Sequence, residues 1–153
     1  MGSFTRLTYH IVSATKYRKR TITEDVQERL YEYIGGTLRA KKGHMIEIGS
    51  VEDHAHILAG MSPSFAVSDA IRDIKASSSR WMREERHVDQ FEWQKGYGAF
   101  TVSYDRVEAI RNYIRNQNEH HKTKTFQEEY IEFLERHNIE YRLEYLFEDE
   151  HAG

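Results

Sequence analysis

The chain has no cysteine and a single proline, Pro63, in 153 residues. Without cysteine it can build neither a disulfide framework nor a thiolate metal site, so any metal must be held by nitrogen and oxygen ligands. That fits a reducing compartment, and a cytoplasmic location is expected. No hydrophobic run approaches the length of a membrane span, and Met1 to Thr8 lacks the basic stretch and apolar core of a secretory leader. No membrane partner is therefore expected. Positive charge is not in excess either. Lys and Arg number 22 against 25 Asp and Glu, a formal net charge of −3, which taken alone argues against a phosphate-rich partner. The distribution argues the other way: Met1 to His44 holds nine Lys or Arg against four acids, and Phe126 to Gly153 holds two against nine. Such segregation is compatible with a front half facing phosphates and a tail kept clear of them. With no internal repeat and no low-complexity segment, the length suits one domain spanning residues 1–153 around a single core.

Phe4 to Ala14 alternates aromatic and β-branched residues and reads as a strand, ending in the basic turn Lys16-Tyr17-Arg18-Lys19-Arg20. Thr23 offers an N-cap, and Val26, Leu30, Tyr33, Ile34, Thr37 and Leu38 repeat at helical spacing up to a stop near Gly43. His44 to Val51 and the stretch through Ala59 follow as two strands joined tightly at Glu52-Asp53. The Pro63 loop leads into a helix from about Phe65 to Glu85. The segment Trp93 to Gly98 precedes a fourth strand, Ala99 to Ser103, then helices from Asp105 to about His120 and from Thr125 to His137, and a charged tail. The order β-α-β-β-α-β predicts an α+β, ferredoxin-like (split βαβ) antiparallel sheet with two helices on one face, plus added C-terminal helices. In that plan the third strand is central and the other face of the sheet is free.

Chemistry concentrates in Val51-Glu52-Asp53-His54-Ala55-His56-Ile57-Leu58. In an extended segment His54 and His56 emerge on one face, and their polarity favours the open face or its edge. Two imidazoles so arranged form half of a divalent-metal site, although hydrogen-bonded histidines are an equally ordinary reading. On the helix from Asp105, Val107, Ile110 and Ile114 form the buried stripe, and Tyr113 and Gln117, one turn apart, lie on its flank. A tyrosine there more often covers the stripe with its ring. A tyrosine hydroxyl is also a covalent nucleophile when something stabilises charge at its target, and the Gln117 amide oxygen is available as a further metal ligand.

Asp53-His54-Ala55-His56-Ile57-Leu58 followed by Tyr113-x-x-x-Gln117 resembles the single-tyrosine transposases of the insertion-sequence two-hundred type, small members of the HUH nuclease class that include the REP-associated relatives. The strand Tyr9-His10-Ile11-Val12, the basic turn, Ile74-Lys75-Ala76-Ser77-Ser78 and Trp93-Gln94-x-Gly96-Tyr97-Gly98-Ala99-Phe100 carry the resemblance across nearly the whole chain. Ala55 is smaller than the hydrophobe that the class pattern has between its histidines.

The resemblance implies a metal-dependent transposase that cleaves and rejoins single-stranded DNA at hairpin-containing element ends. It implies that His54, His56 and Gln117 hold Mg²⁺ or Mn²⁺, that Tyr113 attacks to leave a 5′-phosphotyrosine and a free 3′-hydroxyl, and that a homodimer completes each active site in trans. Arg18, Lys19, Arg20, Lys75 and Arg80 are the candidate phosphate contacts, and Tyr17 or Tyr97 a stacking platform for an unpaired base. His120 and His121 are candidate extra ligands or phosphate contacts, although at an exposed helix end solvated histidines are the expectation. Three other readings remain: a domesticated relative that processes repetitive palindromes, a noncatalytic nucleic-acid-binding module of the same topology, and a small His-based metallohydrolase.

Overall fold

The computed structural model describes residues 1–150. Strand β1 (Leu7–Ala14) ends in a 3-10 turn at Lys16–Arg18, and α1 (Glu24–Ala40) follows. Strands β2 (His44–Val51) and β3 (His54–Met61) form a hairpin, with α2 (Val67–Glu84) and β4 (Gly98–Thr101) after it. The remaining helices are α3 (Val107–Arg115), α4 (Gln117–His120), α5 (Phe126–Arg136) and α6 (Leu143–Leu146). The sheet is antiparallel throughout in the order β2-β3-β1-β4, which is the predicted split βαβ plan.

The alternation along β1 and β3 decides what each face buries. Ile11, Ala55, Ile57, Ala59 and Met61 pack against Val26, Leu30, Ile34 and Leu38 of α1 and against Ile71, Ile74, Trp81 and Met82 of α2. These stripes recur every three or four residues, so each helix has one apolar side and lays it on the sheet. Trp93 closes the edge of this core, its indole donating to Ser78 Oγ at 2.9 Å. The β2–β3 turn is clamped to the basic turn by backbone bonds from Thr15 N to Asp53 O and from Ile22 N to Glu52 O, which brings Arg18 beside Asp53.

The second face is not free. Val12, Ala14 and Phe100 pack there against Phe126, Phe133 and Leu134 of α5, and every residue of β3 is buried. His54 and His56 therefore lie inside, under the C-terminal helices. The helix expected from Asp105 to His120 is also broken. Asn116 leaves helical geometry (φ −99°, ψ 25°) between α3 and α4, and Gln117 turns inward to 2 % exposure.

α3 lies close over β2 because residue 49 is glycine. A Cβ there would run into the carbonyl oxygen and side chain of Ile114. Gly49→Ala is therefore expected to destabilise the protein by about 1–3 kcal/mol, the range for overpacking a filled contact. Urea denaturation measures this, and an unshifted midpoint would mean that α3 does not cross β2 at this point.

A candidate metal centre beside Tyr113

β3 delivers His54 and His56 to the second face, each at most 1 % exposed. Asp53, at the hairpin turn, accepts His54 Nδ1–H at 2.8 Å. Arg18 holds that carboxylate from the other side through Nε and Nη2, each 2.9 Å from Oδ2. This fixes the ring so that His54 Nε2 faces inward, the arrangement in which a carboxylate orients a metal-binding imidazole. His56 Nδ1 is hydrogen-bonded to His10 Nε2 at 2.8 Å, and its Nε2 lies 3.0 Å from Glu129 Oε1.

The inward bend at Asn116 carries Gln117 Oε1 to 3.3 Å from His54 Nε2. The Gln117 amide donates from Nε2 to Glu129 Oε2 at 3.3 Å, so its carbonyl oxygen is the atom left facing the histidines. His121, one turn beyond Gln117, places Nε2 at 3.0 Å from His54 Nε2 and 3.2 Å from Gln117 Oε1. Glu129 Oε1 is 3.4 Å from both His54 Nε2 and His121 Nε2. The Tyr113 hydroxyl donates to Glu129 Oε2. The Tyr113 ring stands 5.8 Å from that of His56 and stacks at 4.3 Å on His120.

The electrostatics follow from burial and pairing. Burial alone would raise the Glu129 pKa, but hydrogen bonds from His121, His54 and His56 hold it well below the usual carboxylate range. Burial would lower the His54 pKa, and the Asp53 and Glu129 carboxylates outweigh it, so it is raised. For His56 burial wins and the pKa is lowered. His10 falls to about 3, through burial first and then the neighbouring His56. Burial and the Glu129 charge together push the Tyr113 phenol well above its ordinary value, so it stays protonated.

Donors that share one ion at about 2.1 Å lie roughly 3.0–3.4 Å from one another. His54 Nε2, His121 Nε2, Gln117 Oε1 and Glu129 Oε1 meet that spacing, and the donor types suit a divalent cation. Of the residues singled out in the sequence, Tyr113, His54, His56 and Gln117 come together in one chain. Within that chain the tyrosine already reaches the histidine pair, whereas the resemblance implies a tyrosine helix supplied by a partner.

Of the cluster, Glu129 was not anticipated, and His121 was expected to be solvated in preference to ligating. His121 is not a solvated histidine; its side chain is 14 % exposed and turned inward. The available signal was its i, i+4 spacing from Gln117. Glu129 occupies the apolar stripe of α5 with Phe126, Tyr130 and Phe133, and an acid at such a position is itself a marker.

The candidate phosphate contacts are scattered. Arg18 is engaged by Asp53 and by Glu150, the latter at 3.0 Å, and its guanidinium covers the Phe126 ring at 4.6 Å. Lys19 donates to Gln90. Lys75 donates to the carbonyls of Gln94, Lys95 and Gly96, so it secures that loop. Arg80 is exposed on α2, on the helix layer. Arg20 is exposed and lines an open cleft of about 730 Å³ that also presents Arg18, Asp53, His121, Lys122 and Lys124. Tyr97 is 40 % exposed, with Lys75 Nζ 5.4 Å from its ring centre.

Residues 3–117 match the family model described as "Transposase IS200 like". The chain is 25 % identical over 124 residues to the ISDra2 transposase TnpA of Deinococcus radiodurans, covering 77 % of this chain and 89 % of that protein. It is 27 % identical over 120 residues to the transposase for insertion sequence element IS200 of Salmonella typhimurium, covering 74 % of this chain and 78 % of that protein. A 1.90 Å crystal structure assigned as a transposase from Deinococcus radiodurans R1 superposes with a TM-score of 0.63 at 27 % identity, covering 76 % of this chain and 95 % of that one. A REP-associated tyrosine transposase bound to a REP hairpin shares the fold, with a TM-score of 0.60 at 14 % identity over 79 % of this chain and 74 % of that one. With the family model spanning most of its length and the fold in agreement, the chain belongs to the IS200-like transposases.

Proposed function

We propose that this transposase cleaves and rejoins single-stranded DNA through a covalent bond to Tyr113, at element ends that fold into hairpins. The observation that carries the reading is the position of the Tyr113 hydroxyl, hydrogen-bonded to a carboxylate that itself touches His54 and His56. A tyrosine that only covers an apolar stripe can wet its hydroxyl, whereas this one is turned toward the histidines.

In the forward step the phenolic oxygen bonds to the scissile phosphorus and the bond from phosphorus to the 3′-oxygen breaks. The phenolic proton is given up as this bond forms and the departing 3′-oxygen takes one up to end as a hydroxyl, so protons balance; Glu129, held as a carboxylate, orients the phenol by accepting its hydrogen bond. The product is a 5′-phosphotyrosine, and attack by another 3′-hydroxyl reverses the bond changes without a hydrolytic cofactor. His54, His56 and Gln117 would hold a Mg²⁺ or Mn²⁺ ion, which supplies Lewis acidity toward a phosphoryl oxygen. Asp53 keeps His54 oriented, and His10 does the same for His56. The hairpin as substrate is supported by the neighbour solved with a REP hairpin, a likeness that by itself shows the fold. A homodimer is proposed from the resemblance; the tyrosine of one chain already meets that chain's own histidines, so a dimer would exchange α3 only by releasing these contacts.

Incubation with single-stranded DNA from the flanks of its own gene and Mg²⁺ or Mn²⁺ should give a covalent adduct on a denaturing gel. Tyr113→Phe and His54→Ala should each abolish it. An adduct that persists in Tyr113→Phe would assign the nucleophile elsewhere, and hydrolysis that survives this change would favour a metallohydrolase. Arg20→Ala should weaken binding to the same strands and flatten the dependence of log K on log salt by about 0.7, the increment for one single-strand phosphate contact. Fluorescence anisotropy at several salt concentrations measures it, and an unchanged slope removes Arg20 from the contacts.

A further inference from the structure

The segment matched to the family model ends at residue 117, yet the cluster beside Tyr113 draws two side chains from beyond it. His121 closes the turn after α4, and Glu129 faces inward from α5 with 1 % exposure. We propose that His121 and Glu129 are ligands of the same ion as His54 and Gln117, so that this chain completes its nitrogen and oxygen centre from its own C-terminal segment. The inference rests on the reading of the cluster as a metal site and goes beyond the set His54, His56 and Gln117.

The distances carry it. Among the four atoms His54 Nε2, His121 Nε2, Gln117 Oε1 and Glu129 Oε1, the separations are 3.0, 3.2, 3.3, 3.4 and 3.4 Å for five of the six pairs. Four atoms on a tetrahedron of that edge stand about 2.0 Å from its centre, the separation of a first-row metal from nitrogen or oxygen ligands. The orientation of each donor is separately imposed. Asp53 takes the far nitrogen of His54, and the Gln117 amide is turned by its own bond to Glu129 Oε2. Glu129 Oε2 is occupied by Tyr113 and Gln117, which leaves Oε1 for the centre. A carboxylate needed only to pair one buried histidine would not require three imidazoles around a single oxygen. His56 Nε2 stands 3.0 Å from the same Glu129 Oε1, so the ligand set proposed above is extended and not replaced. Imidazoles in so compact a set favour a transition ion such as Mn²⁺ or Co²⁺ over Mg²⁺, which prefers six oxygen ligands.

The test is metal binding by the full chain without DNA, read by calorimetry with Mn²⁺ and by the visible absorption of Co²⁺, whose intensity reports the number of ligands. The wild-type protein is expected to take up one ion and to gain thermal stability with it. Glu129→Gln, nearly isosteric, and His121→Ala, at a partly exposed position, are each expected to lose at least about tenfold in affinity and to change the Co²⁺ spectrum. Melting without metal checks that both fold. Wild-type affinity and an unchanged spectrum in both variants, with binding lost in His54→Ala and His56→Ala, would overturn this proposal and leave the His54, His56 and Gln117 site standing. A wild-type protein that binds neither ion would overturn both.

Discussion

A carboxylate sealed away from water must be paired or give up its charge, and Glu129 is sealed. Its partners come from separate parts of the chain: His54 and His56 from β3, Tyr113 from α3, Gln117 from α4 and His121 from the turn after it. Satisfying this one side chain therefore fixes α5 on the sheet and turns α4 inward. Removing one partner would leave the others to carry the charge; left with none, the buried carboxylate would cost about 3–5 kcal/mol. A wholly apolar replacement of comparable volume would hold the layers together at no such risk. The polar cluster is thus weak as a device for stability, and its retention points to chemistry.

The same logic alters the meaning of the charge distribution. Nine acids from Phe126 onward suggest a tail that repels phosphates, but two of them are used internally. Glu129 lies among the histidines, and Glu150 pairs with Arg18 and accepts from Gln127. Arg18 in turn pairs with Asp53, and Asp53 orients His54. Charges alternate along this line from the C-terminal segment through the basic turn to the centre. A guanidinium held by two carboxylates offers a phosphate less than its sequence position promises, because one of those pairs must first be exchanged.

What was legible in the sequence is what repeats or alternates. The period of two in β1 and β3, the apolar stripes of α1 and α2 and the element order were enough for the sheet plan. His54 and His56 share a face because β3 is extended, and Tyr113 and Gln117 stand out because neither is needed in the stripe. The rest depends on contacts that have no local signature. Helical spacing carries no break at Asn116, since asparagine continues a helix at modest cost, and the bend is worth making only because Gln117 gains partners inside. The covering of the second face depends on α5 docking through Phe126, Phe133 and Leu134, and nothing in a local pattern says which sheet face an added helix will choose. Lys75 looks like a phosphate contact until three carbonyls of a distant loop are found around it.

Access is the last constraint. His54, His56, Gln117 and Glu129 are between 0 and 2 % exposed, so a phosphate reaches them only where the cluster meets solvent. The side chains at that boundary are His121 and Asp53, each 14 % exposed, and both line the cleft with Arg18, Arg20, Lys122 and Lys124. A strand approaching from there meets cations first and the donor atoms next. Lys122 and Lys124 are tied to Glu119 and Glu132 on the surface, and exposed pairs of this kind exchange at little cost. The buried pairs around Glu129 do not. On the proposed reading, opening the route at the cleft while α5 stays docked is therefore the less costly way to bring DNA toward Tyr113, and it keeps Glu129 against the tyrosine throughout.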